Sequence, residues 1–123
     1  MLTPTAYGLA IALDLLVLFI GVRFLVQPRP AATGYGVPAE PDGDAAYLEI
    51  KGLRDAVSGV MGLALLAFAG ATAGAWFMLT VALVPLGDTL IVLRHGGTKA
   101  VAFGIHFATA VLVLVSAGLL FAV

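Results

Sequence analysis

Four apolar runs of membrane-spanning length, all interrupted by ionisable side chains, limit what this chain can fold into. They extend from about Thr5 to Val26, Tyr47 to Ala69, Ala75 to Arg94, and Thr98 to the C-terminus. At 1.5 Å per residue, about 20 mostly apolar residues cross the hydrocarbon core of a bilayer. The chain is 62% hydrophobic and 11% charged, so a soluble fold would have too little polar surface to cover its apolar side chains. The expected fold is therefore all-α, a single four-helix transmembrane bundle with the bilayer as solvent.

The connections between the runs differ. Gly70 to Gly74 and His95-Gly96-Gly97 read as tight turns, which make antiparallel neighbours of runs two and three and of runs three and four. Between runs one and two lies the long segment Gln27 to Ala46, rich in proline and glycine up to Pro38 and acidic after it. A loop of this length in a small protein is usually either functional or disordered. Its Tyr35-Gly36-Val37-Pro38 stretch is expected to fold back as a lid. At the other end of run one, Thr3 is a candidate N-cap with Pro4 at the first helical position. Met1-Leu2-Thr3-Pro4 lacks a basic run and Asp14 breaks the apolar stretch behind it, so no signal peptide is expected.

All six lysines and arginines (Arg23, Arg29, Lys51, Arg54, Arg94 and Lys99) fall on the side of the long loop and the Gly-Gly turn. The positive-inside rule then places those loops in the cytoplasm and both termini outside the cell membrane. Tyr7 and Trp76 suit an outer aromatic belt and Tyr47 an inner one. The net charge of −1 argues against nucleic acid as a partner. Without cysteine there are no disulfides, thiolate metal sites or thiol redox chemistry, and the two histidines match no metal or haem spacing, so no cofactor is expected.

Depth is the informative variable. Counted from the cations at the boundary, Asp55 lies about 6 Å inside, Asp88 about 9 Å, His106 about 10 Å and Asp14 about 13 Å. Four runs thus bring ionisable groups into the same half of the bilayer. Each is costly in hydrocarbon unless it faces an interior. Asp55, Asp88 and His106 are the acid–base candidates. Arg54, Arg23, Asp14, Lys51, His95 and Tyr35 are the candidate substrate contacts. Alternatives stand beside several of these. Arg23 also reads as a snorkelling anchor, Arg54 as a simple ion-pair partner of Asp55, His95 as the cap of a helix C-terminus, and His106 as a neutral histidine bonded to a neighbouring helix. Pro85-Leu86-Gly87-Asp88 reads as a bend that aims Asp88 inward, or as an ordinary proline kink of a membrane helix.

Gly21-Val22-Arg23, Pro28, Tyr35-Gly36-Val37-Pro38, Lys51-Gly52-Leu53-Arg54-Asp55, Gly87-Asp88, His95-Gly96-Gly97 and His106 together resemble a family of small four-helix membrane proteins catalogued as a domain of unknown function. The resemblance implies a four-helix membrane bundle and treats these positions as one site. It implies no reaction. The architecture is similar, more distantly, to the DoxX-like four-helix group.

Three functions follow as expectations. One is a cofactor-independent acid–base enzyme, of isomerase, cyclase, hydratase or lyase type, acting on a lipophilic small molecule. Another is a proton-coupled transporter or small channel. The third is a structural accessory subunit. Membrane lipid is a partner in each, and a homo-oligomer is compatible with all of them.

Overall fold

The computed structural model describes residues 1–38 and 43–123, and these form five helices with no strand among the described residues. Helix α1 spans Leu2–Val26 and α2 spans Pro28–Tyr35. Helix α3 spans Ala46–Phe68, α4 spans Ala71–Arg94 and α5 spans Lys99–Phe121.

Three of the five, α1, α4 and α5, are long and apolar enough to cross a membrane. The protein is thus an integral membrane protein. Helix α3 is equally long at 23 residues, but Glu49, Lys51, Arg54 and Asp55 crowd its first half. The exterior agrees with a lipid surround, since Phe68, Leu83 and Phe19 are 91%, 68% and 58% exposed. In water such surface would be a liability.

Several boundaries differ from those read in the sequence. Helix α1 begins at Leu2 with Met1 as its N-cap, so Thr3 does not cap it. The hydroxyl of Thr5 instead donates to the Met1 carbonyl at 2.8 Å. The α3–α4 junction is only Ala69-Gly70, because Gly70 adopts φ 90° and turns the chain at once. Ala71 to Gly74, read in the sequence as part of a turn, instead form the first turn of α4. The long loop holds an extra helix, α2, started by Pro28 at its first turn and ended by Gly36 at φ 98°. Part of the acidic stretch expected after Pro38, including Glu40 and Asp42, lies outside the described residues.

Glycines draw α1 and α3 together until their backbones touch. A Cβ on Gly52 would lie 2.7 Å from the Gly21 carbonyl, and one on Gly59 would lie 2.6 Å from the Asp14 carbonyl. In a membrane, where burial between helices brings no hydrophobic gain, such close packing is what holds helices side by side. Helix α4 packs along α5, and α1 also meets α5. At the end away from the cations, Ala6, Ala10, Leu66, Ala75, Ala117 and Leu120 close a tight apolar core. At the cation end, α2 lays Ala31 and Ala32 onto Phe24.

Two irregularities shape the middle. Helix α4 is interrupted at Ala82, between segments Ala71–Val81 and Leu83–Arg94. Pro85 explains this, because it has no N–H to give the Val81 carbonyl. In α5, residues Ala102–Phe107 form a π-helical turn, which rotates His106 relative to a regular helix.

Candidate functional site

Between the closed apolar core and α2 lies a cavity of about 300 Å³. Asp14 of α1, Asp55 of α3, Asp88 of α4 and His106 of α5 all line it, as do Arg23 and Tyr35. Its walls are otherwise mainly apolar, with Phe24, Ile20 and Val17 on α1 facing Met78 and Val81 on α4. Leu16, Phe19, Val84 and Ile105 also line it and are themselves exposed, so the cavity opens sideways onto the apolar flank.

Tyr35 is the hub of the polar end. Its hydroxyl donates to the Asp88 carboxylate. Its backbone carbonyl accepts from His106 Nε2 at 2.7 Å, and the two rings meet edge-on with centroids 4.3 Å apart. A carbonyl only accepts, so Nε2 carries a proton and is engaged by Tyr35, which leaves Nδ1 as the other ring nitrogen. The Phe24 ring meets Tyr35 edge-on at 5.6 Å. Lys51 Nζ lies 4.1 Å from the Tyr35 centroid and 4.2 Å from that of Phe24, a cation over two aromatic faces. Lys51 also donates to Asp55 Oδ2 at 2.6 Å across one turn of α3. One residue of α2 thereby touches groups from α1, α3, α4 and α5. Burial, reinforced by the neighbouring Asp88 carboxylate and the hydrogen bond to it, pushes the Tyr35 hydroxyl above the usual phenol range, so it remains a donor.

Asp14 is different. It is 2% exposed, and its Oδ2 has no hydrogen-bond partner among the described residues. Its carboxyl occupies the space that a side chain at position 62 would take, since a Cβ on Gly62 would lie 2.7 Å from Oδ2.

Other sequence candidates fall elsewhere. Arg54 is exposed and lines a neighbouring shallow cleft with Leu53, Val57 and Met61, which shares Ser58, Phe77 and Val81 with the cavity. The partner of Asp55 is therefore Lys51 and not its sequence neighbour Arg54. His95 is exposed at the C-cap of α4, where its N–H donates to the Ile91 carbonyl at 3.1 Å, and it does not line the cavity. Lys51 reaches the site through Asp55 and Tyr35 rather than as a wall. Ser58 and Thr109 line the cavity without having been singled out as contacts. Ser58 lies one turn beyond Asp55 on α3, so the stripe containing Asp55 pointed to it. No group of metal-ligating side chains occurs among the described residues.

The model of a family described as a domain of unknown function (DUF4267) matches residues 15–120. No curated protein and no solved structure matches the chain.

Proposed function

The chain belongs to this family of domains of unknown function, and from that premise we propose that it binds a lipophilic small molecule in the cavity and acts on it by proton transfer. The observation that carries the reading is one apolar cavity, open to the flank, with Asp55, Asp88 and His106 in its wall. Such a cavity admits an apolar body sideways from the bilayer and presents acid–base groups to its reactive part. Asp88, held by Tyr35, and His106, held through Nε2 by the Tyr35 carbonyl, are the groups assigned to the proton transfers. Lys51 keeps Asp55 in place. Isomerisation, cyclisation, and addition or loss of water need no more than this. Transport is less well supported, because the core beyond Asp14 is apolar, with Ser116 its buried polar group among the described residues.

In this reading α3 is the fourth span of a transmembrane bundle, and Lys51 and Arg54 sit at its cytoplasmic boundary. The positive-inside rule places α2 in the cytoplasm and both termini outside. Because the chain has no cysteine, single-cysteine variants report topology cleanly. A membrane-impermeant thiol reagent should label Thr72→Cys in intact cells and His95→Cys only after permeabilisation. The opposite pattern reverses the orientation.

The activity is tested by identifying lipophilic molecules that purify with the wild type and with Asp88→Asn. The variant should fold, retain its molecule and lose turnover by at least about 100-fold. It should therefore accumulate a compound that differs from the wild-type product by isomerism or by one water. If both proteins carry the same molecules, or none, the catalytic reading is wrong.

A further inference from the structure

Asp14 is the one carboxyl in the cavity wall that the network around Tyr35 leaves alone. Asp55 has Lys51 at 2.6 Å, and Asp88 has the Tyr35 hydroxyl. Asp14 Oδ2 has no partner among the described residues although the side chain is 98% shielded. An oxygen buried in this way requires a donor, and leaving it without one costs more than a typical hydrogen bond returns. It lies nine residues, or about 13 Å, along α1 from Arg23.

The charges select the kind of donor. Arg54, Arg94 and Lys99 are exposed and none lines the cavity. Lys51 is held by Asp55 and by the faces of Phe24 and Tyr35. Arg23 lines the cavity but is itself exposed. An anionic head would meet three carboxyl groups there, with no free cation at depth among the described residues. A cationic head would find Asp14 waiting and apolar walls for its tail.

We propose that the cavity takes a lipophilic amine, with its ammonium group on the Asp14 carboxylate and its hydrocarbon part against the apolar walls of α1 and α4. This rests on the reading of the cavity as a site for a lipophilic molecule. An alkylammonium supplies N–H donors and a compensating charge to the oxygen that has neither. The Tyr35 end is then left to the more polar or reactive part of the ligand.

The test compares n-octylamine, 1-octanol and octanoate binding to the full chain in lipid nanodiscs, for the wild type and Asp14→Asn. Octylamine should bind the wild type most tightly and lose at least about tenfold in the variant, while octanol binds both alike. Equal binding of octylamine and octanol, unaffected by Asp14→Asn, overturns the amine assignment and leaves the lipophilic site standing. A preference for octanoate also overturns it. Failure of all three probes removes the lipophilic site itself. Should Asp14→Asn not fold, the wild type decides the matter with dicyclohexylcarbodiimide, an apolar reagent that couples to carboxyl groups. N,N-Dimethyloctylamine, an ammonium donor that the carbodiimide cannot turn into an amide, should protect Asp14 from coupling more strongly than octanol does. Equal protection, or an Asp14 that never reacts, counts against the proposal.

Discussion

The two ends of the cavity differ in how their polar groups are satisfied. Under α2, Tyr35, Asp88, His106, Lys51 and Asp55 form a connected set in which each member holds another. At depth, Asp14 stands alone against Gly62. A connected set fixes the positions of its members and so suits groups that must meet a substrate in one geometry. A lone buried carboxyl gives the fold no compensating bond, and its place is better explained by something it binds. The contrast also separates what holds the helices together from what the site does. Packing between α1 and α3 rests mainly on backbone contact at Gly21, Gly52 and Gly59, while Asp14 fills the space over Gly62.

The variants that break this contrast range from large effects to small. Gly59→Val places a branched side chain where the Asp14 carbonyl and Leu18 already lie within 3 Å of a single added carbon. It should cost at least about 3 kcal/mol, because the clash is with backbone and α1 has to move. Equilibrium unfolding in mixed detergent measures this. A near-neutral result would mean that α1 and α3 are not in contact.

Tyr35→Phe removes only the hydroxyl. The edge-on ring contacts, the seat for Lys51 and the backbone carbonyl for His106 all remain. The cost should be about 1–3 kcal/mol, set by the acceptor left unmatched on Asp88. Turnover should fall further than stability does. If Tyr35→Ala has no larger effect than Tyr35→Phe, then α2 is not held by the ring.

Much of this arrangement was legible in the sequence, and the failures have physical causes. The positions of Asp14, Asp55, Asp88 and His106 followed from counting residues inward from the cations, since a rise of 1.5 Å per residue leaves little freedom. The outward direction of Arg54 was also present in the pattern. Helix α3 buries Gly52, Gly59, Gly62 and Leu66, and Arg54 is about 200° around the helix from Gly52. Treating Arg54 and Asp55 as a pair because they are adjacent ignored that adjacent residues on a helix diverge. Helix α2 announced itself by Pro28 at its start and Gly36 just past its end, but its high proline and glycine content resembles that of a loop. The π-helical turn that carries His106 had no sequence signal. It depends on how α4 and α5 meet, which no local pattern encodes.

Smaller effects sharpen the same comparison. Lys51→Met keeps the apolar stem over Phe24 and Tyr35 and removes the charge. Lys51 and Asp55 are 31% and 19% exposed, so losing their bridge should cost about 1 kcal/mol or less. A much larger loss would make the Lys51–Asp55 pair a main support of the fold. Alkaline titration gives the smallest signal. The raised pKa of Tyr35 keeps its hydroxyl protonated through about pH 10, where a free phenol ionises. Its contribution to stability is complete below that pH and declines as the pH rises beyond it. Tyr35→Phe should therefore leave the phenolate absorbance step near pH 10 unchanged. A smaller step in the variant would show that Tyr35 is open to solvent.

The central claim is that one cavity, reached sideways from the bilayer, gathers these groups around a lipophilic guest. Photolabelling with a diazirine-bearing octanol in nanodiscs, followed by peptide mapping, tests it most directly. Saturable labelling should concentrate on cavity residues such as Ile20, Phe24, Val81 and Ile105, and an excess of unlabelled octanol should abolish it. Label spread without saturation over the lipid-facing belt, on residues such as Phe68 and Leu79, would contradict the account.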